Sequence, residues 1–120
     1  RTRLIDQVRR GDAPRGGDRW TNRIHRDDCA GILDHVLRLD APAPLYLGVD
    51  HAPVPLSEVR AFLAEGLGVA PPPDAPETGG GRTAGVGKRC RNDRIVAAGY
   101  RFLYPTYREG YAAMLAEAAP

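Results

Sequence analysis

Apolar residues recur at helical spacing in four places along this chain, and the polar positions between them set the boundaries. Leu4, Ile5 and Val8 share one face of a helix predicted over residues 1–10, which Gly11 ends. Ile32, Leu33, Val36 and Leu37 form the stripe of a second helix, over about Asp28 to Leu39. Asp27 and Asp28 precede that stripe, and carboxylates there suit the free N–H groups and positive end of a helix. Leu56, Val59, Leu63 and Leu67 mark a third helix, stopped by Gly68. Thr106 and Glu109 form a capping box before a last helix whose stripe is Tyr107, Tyr111, Met114 and Leu115.

Between the helices, Leu45-Tyr46-Leu47-Gly48-Val49 is a continuous apolar run, which predicts a strand covered on both faces as in a parallel or mixed sheet. Arg23-Ile24-His25 and the residues 88–91 read as short extended pieces, and Asn92 caps a short helix that Gly99 stops. Strand followed by helix over short connections is the α/β rhythm. Residues 70–87 hold four prolines and five glycines, which leaves little to bury and predicts a flexible loop. The expected architecture is one α/β domain over residues 1–120: a small mixed lobe with four to five helices and two to four short strands.

Composition narrows the classes of function. At 120 residues, with 42% hydrophobic and 27% charged residues, the chain suits one modest globular core. It has no run near the ~20 apolar residues that a membrane span needs, and no leader pattern, so a cytoplasmic location is expected. Cys29 and Cys90 have no metal-ligand spacing and read as two separate thiols. The net charge of +2 is unevenly spread: residues 1–26 carry eight arginines against three aspartates. Sixteen of the seventeen basic residues are arginine, a residue suited to bidentate capture of phosphate. No groove-reading motif accompanies them, which argues against nucleic acid as the partner.

Chemical motifs are mostly absent. The glycines before Lys88 fail as a phosphate loop, because Arg82 stands where its first glycine belongs and Arg89 follows the lysine. No Gly-x-Gly-x-x-Gly follows a strand. His25 and Cys29 are four apart without a third ligand, so a packed histidine is the reading and no metal site is expected. Lys88, the only lysine, has Ala84 four positions earlier, so the chain contains no Tyr-x-x-x-Lys pair. Tyr107 and Tyr111 read as packing residues, whereas Tyr104, beside a proline in a loop, has more freedom to reach a ligand.

Four blocks, in order, resemble the carboxy-terminal part of the extended and atypical short-chain dehydrogenases/reductases, the NAD(P)-dependent epimerase/dehydratase-like family. They are Asn22-Arg23-Ile24-His25-Arg26-Asp27-Asp28-Cys29-Ala30; Leu45 to Val59 with Tyr46, Asp50, Pro53 and Glu58; Lys88-Arg89-x-x-Asn92-x-Arg94-Ile95; and Tyr104-Pro105-Thr106-Tyr107-Arg108-Glu109-Gly110. The resemblance implies a substrate-binding lobe acting on a nucleotide-sugar or related carbinol substrate and inactive alone. It also implies a missing N-terminal Rossmann domain that holds NAD or NADP and the catalytic Tyr/Lys pair, so no catalytic residue is assigned to this chain. By the same resemblance Arg89 falls near the substrate diphosphate, and Asn22 and Arg23 line the crevice. With Tyr104 these are the four candidate substrate-binding residues. The alternative is a naturally truncated, non-catalytic binding module whose uncovered apolar faces form a homo-oligomer.

Overall fold

The computed structural model describes residues 2–12, 18–73 and 87–118. Helix α1 (Arg3–Arg10) ends at Gly11, whose left-handed φ of 71° lets the chain turn away after the last helical bonds. Strand β1 (Trp20–Thr21) pairs antiparallel with β2 (Val54–Pro55), Trp20 opposite Pro55 and Thr21 opposite Val54. Helix α2 (Arg26–Leu37) lies between them in sequence, and α3 (Leu56–Leu67) follows β2 directly. A short α4 (Asp93–Ala97) and a final α5 (Tyr107–Ala118) complete the described elements. Among the described residues, five helices and a two-stranded sheet make this a small mixed α/β fold.

The core forms where α3 packs against α1 and α5. Ile5 and Val8 from α1, Val54 from β2, Val59, Leu63 and Ala64 from α3, and Tyr107 from α5 are its buried members, with Met114 and Leu115 packed around them. The amphipathic stripes of α1, α3 and α5 therefore face one another as their spacing predicts. Helix α3 has no capping side chain of its own. Asp18 supplies one across the chain, accepting from the Ser57 amide at 3.0 Å and the Ser57 hydroxyl at 2.6 Å. At α5 the Glu109 carboxylate accepts the Thr106 amide at 3.0 Å, and Thr106 Oγ1 accepts the Arg108 amide at 3.2 Å, so the capping box forms.

Four expectations need correction. The residues 45–49 form no strand: among the described residues no partner strand runs beside them, and Leu45 and Leu47 stay exposed. A run that is apolar on both sides needs cover on both sides, and the described residues do not supply it. For the same reason α2 buries Ile32 but leaves Leu33 and Leu37 in solvent, Leu37 at 86% exposure. Finally, α2 starts two residues earlier than its aspartates suggest. His25 is the N-cap and accepts the Asp27 amide on Nδ1 at 3.1 Å, which frees Asp28 for another task. Asn92 likewise makes no cap bond; its side chain turns inward. The stretch 74–86 of the proposed flexible loop lies outside the described residues.

Candidate functional site

Between β1 and α2 the chain runs through Asn22, Arg23, Ile24 and His25, and each side chain is fixed by a different part of the fold. Asn22 uses both ends of its amide: Nδ2 donates to the Lys88 carbonyl at 2.7 Å and Oδ1 accepts the Cys90 amide at 2.8 Å. It therefore clamps the 88–90 segment, which otherwise has no ladder to hold it. Arg23 reaches α5, where Nη1 donates to the Tyr111 hydroxyl at 2.8 Å. The Arg23 carbonyl accepts the Asp50 amide at 2.7 Å, so one residue anchors both α5 and the turn at 50–53.

His25 is held on two sides. Its Nδ1 takes the Asp27 amide, and its ring stacks on Tyr104 at 3.8 Å between centroids. Tyr104 is in turn placed by Asp28, a fully buried carboxylate. Asp28 accepts the Tyr100 hydroxyl at 2.6 Å, the Leu103 amide at 2.8 Å and the Tyr104 amide at 2.9 Å. Three donors offset the cost of burying this carboxylate. Burial and the bond to Asp28 both push the Tyr100 hydroxyl well above the usual phenol range. The close approach leaves no room on α2: a Cβ at Gly31 would lie 2.5 Å from the Tyr100 hydroxyl.

These residues border two cavities. The larger, about 740 Å³, is lined by Arg23, His25, Asp50, Tyr107, Tyr111 and Met114 among others. The smaller, about 560 Å³, is lined by Trp20, Asp50, His51, Arg89, Cys90 and Asn92 among others. Asp50 belongs to both walls and is 4% exposed. Burial raises its carboxyl to about 6, against the Ala52 amide, His51 and Arg23, which favour the charged form, while Glu109 adds a smaller push upward. Its Oδ1 accepts the Ala52 amide at 3.0 Å. Beside it, Asn92 donates to the Val49 carbonyl at 3.0 Å and meets His51 Nδ1 at 3.0 Å.

The four residues singled out from sequence are thus divided. Asn22 and Arg23 line the larger cavity, although Asn22 spends its hydrogen bonds on the backbone of 88–90. Arg89 lines the smaller cavity, exposed, with its guanidinium 4.7 Å over the Trp20 ring. Tyr104 borders neither of these two cavities and supports His25 instead. Sequence reasoning passed over Asp50, His25 and Tyr111 as site residues. Asp50 and His25 did stand within the quoted blocks, but nothing local marked them as cavity walls. Cys29 and Cys90 are unbridged, and Cys29 is exposed.

No family model and no curated protein matches the chain. Two solved structures do. One, from Methylobacillus flagellatus and described as a "putative NAD-dependent epimerase/dehydratase", is 33% identical, with a TM-score of 0.81 over 98% of this chain and 42% of that one. The other, a "functionally unknown conserved protein" from Silicibacter pomeroyi DSS, is 31% identical, with a TM-score of 0.69 over 92% of this chain and 45% of that one. The chain thus spans less than half the length of either. A nicotinamide dinucleotide does not fit the described residues, whose one sheet is a two-stranded antiparallel pair without the parallel strand–helix–strand cradle that holds a pyrophosphate. No described helix is long and apolar enough to cross a membrane.

Proposed function

We propose that this chain is the substrate-binding C-terminal portion of an NAD(P)-dependent epimerase/dehydratase-like oxidoreductase, acting on a nucleotide-sugar or related carbinol substrate and inactive alone. The observation that carries this reading is the superposition of 98% of the chain, at 33% identity, on part of a structure described in those terms. In the complete enzyme a Rossmann domain elsewhere in the polypeptide would hold NAD or NADP, which would supply hydride-transfer chemistry, and no residue of this lobe would hold that group. The residues of this lobe bind and orient the substrate and exclude water from it, which is how binding energy remote from the reacting atoms is used.

Within the lobe, Arg23 and Arg89 supply positive charge to the two cavities, and Asn22 fixes the segment that carries Arg89. Tyr104 acts through His25. The exposed side chains of Leu33 and Leu37, one turn apart on α2, make an apolar face for the Rossmann portion to cover, and Leu45 and Leu47 are exposed as well. The same face supports the second reading, a non-catalytic module that covers it with another copy of itself.

Intact mass of the protein from its source separates the two. The enzyme reading expects a polypeptide more than twice 13.0 kDa, with a glycine-rich cofactor loop and a Tyr-x-x-x-Lys pair ahead of Arg1. It also expects NAD(P)-dependent turnover from that polypeptide and none from the 120-residue chain. A mature protein of 13.0 kDa that self-associates through Leu33 and Leu37 replaces it with the module.

A further inference from the structure

The Arg23 guanidinium is half-buried, yet no carboxylate oxygen of the described residues lies within 4.0 Å of it. Buried charges are ordinarily paired, because the desolvated cation has given up water and needs an acceptor in return. Among the described residues Arg23 has one neutral acceptor, the Tyr111 oxygen, and its buried Nε has no partner. The nearby charge makes the deficit larger: Arg60, itself partly desolvated, feels the positive charge of Arg23 and of Arg19.

Two further donors stand on the same cavity wall. Tyr111 accepts from Arg23, so its own hydroxyl hydrogen is left to donate, and among the described residues it has no acceptor. Burial holds that hydroxyl above the usual phenol range, more than Arg23 lowers it, so the proton stays in place. His25 is 5% exposed at its side chain, and its Nδ1 is occupied as an acceptor of the Asp27 amide. The ring hydrogen therefore sits on Nε2, which likewise has no acceptor among the described residues. Glu117, on the rim, faces Arg26 at 3.6 Å. Asp50 is the remaining carboxyl of the wall; burial raises it to about 6, so it is neutral toward an anion only below that pH and weakens anion binding above it.

We infer that the larger cavity is an oxyanion subsite in which Arg23, Tyr111 and His25 donate to one phosphate or carboxylate group of the ligand. The subsite is separate from the Arg89 cavity, with Asp50 as the partition between them. A ligand that fills both cavities therefore carries two acceptor-rich ends. The inference deepens the substrate-binding reading of this face and rests on it.

Its test needs neither a nicotinamide nor the rest of the polypeptide. The 120-residue chain is titrated with pyrophosphate, inorganic phosphate and malonate, followed by heteronuclear NMR at the His25 imidazole and by calorimetry. Saturable binding that shifts the His25 Nε2 resonance is expected, and the preference between the phosphates and malonate identifies the class of oxyanion. Arg23→Met, His25→Asn and Tyr111→Phe should each weaken binding roughly tenfold, the value of one charge-assisted hydrogen bond. Arg38→Met, on the exposed flank of α2, removes the same charge and should leave affinity unchanged. His25→Asn keeps a capping acceptor; if it unfolds the chain, Tyr111→Phe decides, since it deletes one hydroxyl and keeps the ring. No saturation with any of the three anions, or equal affinity in wild type and Tyr111→Phe, overturns the subsite. Neither result bears on whether the full polypeptide turns over NAD(P), so the two readings fail separately.

Discussion

The Tyr100 hydroxyl donates to Asp28 Oδ1 at 2.6 Å, joining residues 72 apart in sequence inside the molecule. Around this bond the 100–104 segment is laid against α2, and through Tyr104 the contact reaches the His25 ring at the cavity wall. A helix residue with no local capping role therefore holds a loop that bears on the site.

Asp28→Ala should be among the most damaging single changes in the chain. It strands the Tyr100 hydroxyl and the Leu103 and Tyr104 amides without their acceptor. At ~1–3 kcal/mol for each unsatisfied donor, the expected loss is at least about 3 kcal/mol of stability. Urea denaturation of the variant checks it, and a midpoint near that of wild type would refute the assignment.

Gly31→Ala separates local propensity from tertiary packing. In an exposed helix that exchange gains about 1 kcal/mol. Here the added Cβ would meet the Tyr100 hydroxyl at 2.5 Å, and that hydroxyl cannot retreat without leaving Asp28. A net loss of about 1–3 kcal/mol is expected, as for other overpacked positions. The sign of the change in melting temperature is sufficient to decide.

Asp50 gives the molecule a predictable response to pH. Its folded-state carboxyl titrates near 6, above the value of about 4 expected in the unfolded chain. The native state therefore holds a proton that the unfolded state releases first, and the contribution is complete below pH ~4 and lost as pH rises through ~6. The loss is on the order of 2–3 kcal/mol. Urea midpoints measured from pH 4 to 7.5 should fall across that window in the wild type. In Asp50→Asn the decline should be smaller, with the variant the more stable of the two at pH 7.

Leu37→Glu, on α2, should leave the isolated chain within about 0.5 kcal/mol of wild type, because the side chain is already 86% exposed. Assembly is where it should act. In the complete polypeptide of the proposed enzyme the same substitution would place a charge in the buried joint and should lower expression or stability markedly. Parallel denaturation of the two forms reads the contrast, and equal tolerance in both would remove the covered face from the proposal.

Helices α1, α3 and α5 were legible because their signals are local. Stripes at helical spacing, Gly11 and Gly68 at C-termini and the Thr106–Glu109 box all act within a few residues. The run 45–49 was misjudged for the opposite reason: a strand exists only where a partner supplies the other half of its ladder, and no described residue does so. Asp28 looked like a cap because two aspartates precede an apolar stripe. The packing of Tyr100 and Tyr104 moved the helix start and took Asp28 inward.

By itself the sequence determined the mainly helical character, the α/β class and the absence of a Tyr-x-x-x-Lys pair, since each depends on residues near one another in the chain. Only the tertiary structure decided that Arg23 meets Tyr111 across 88 residues, that Asp50 lies between two cavities, and that Arg23 and Arg89 line different ones. The physical reason is range. Backbone propensities and caps act over one turn of chain, whereas desolvation and charge pairing depend on which distant groups come to share the same unhydrated space.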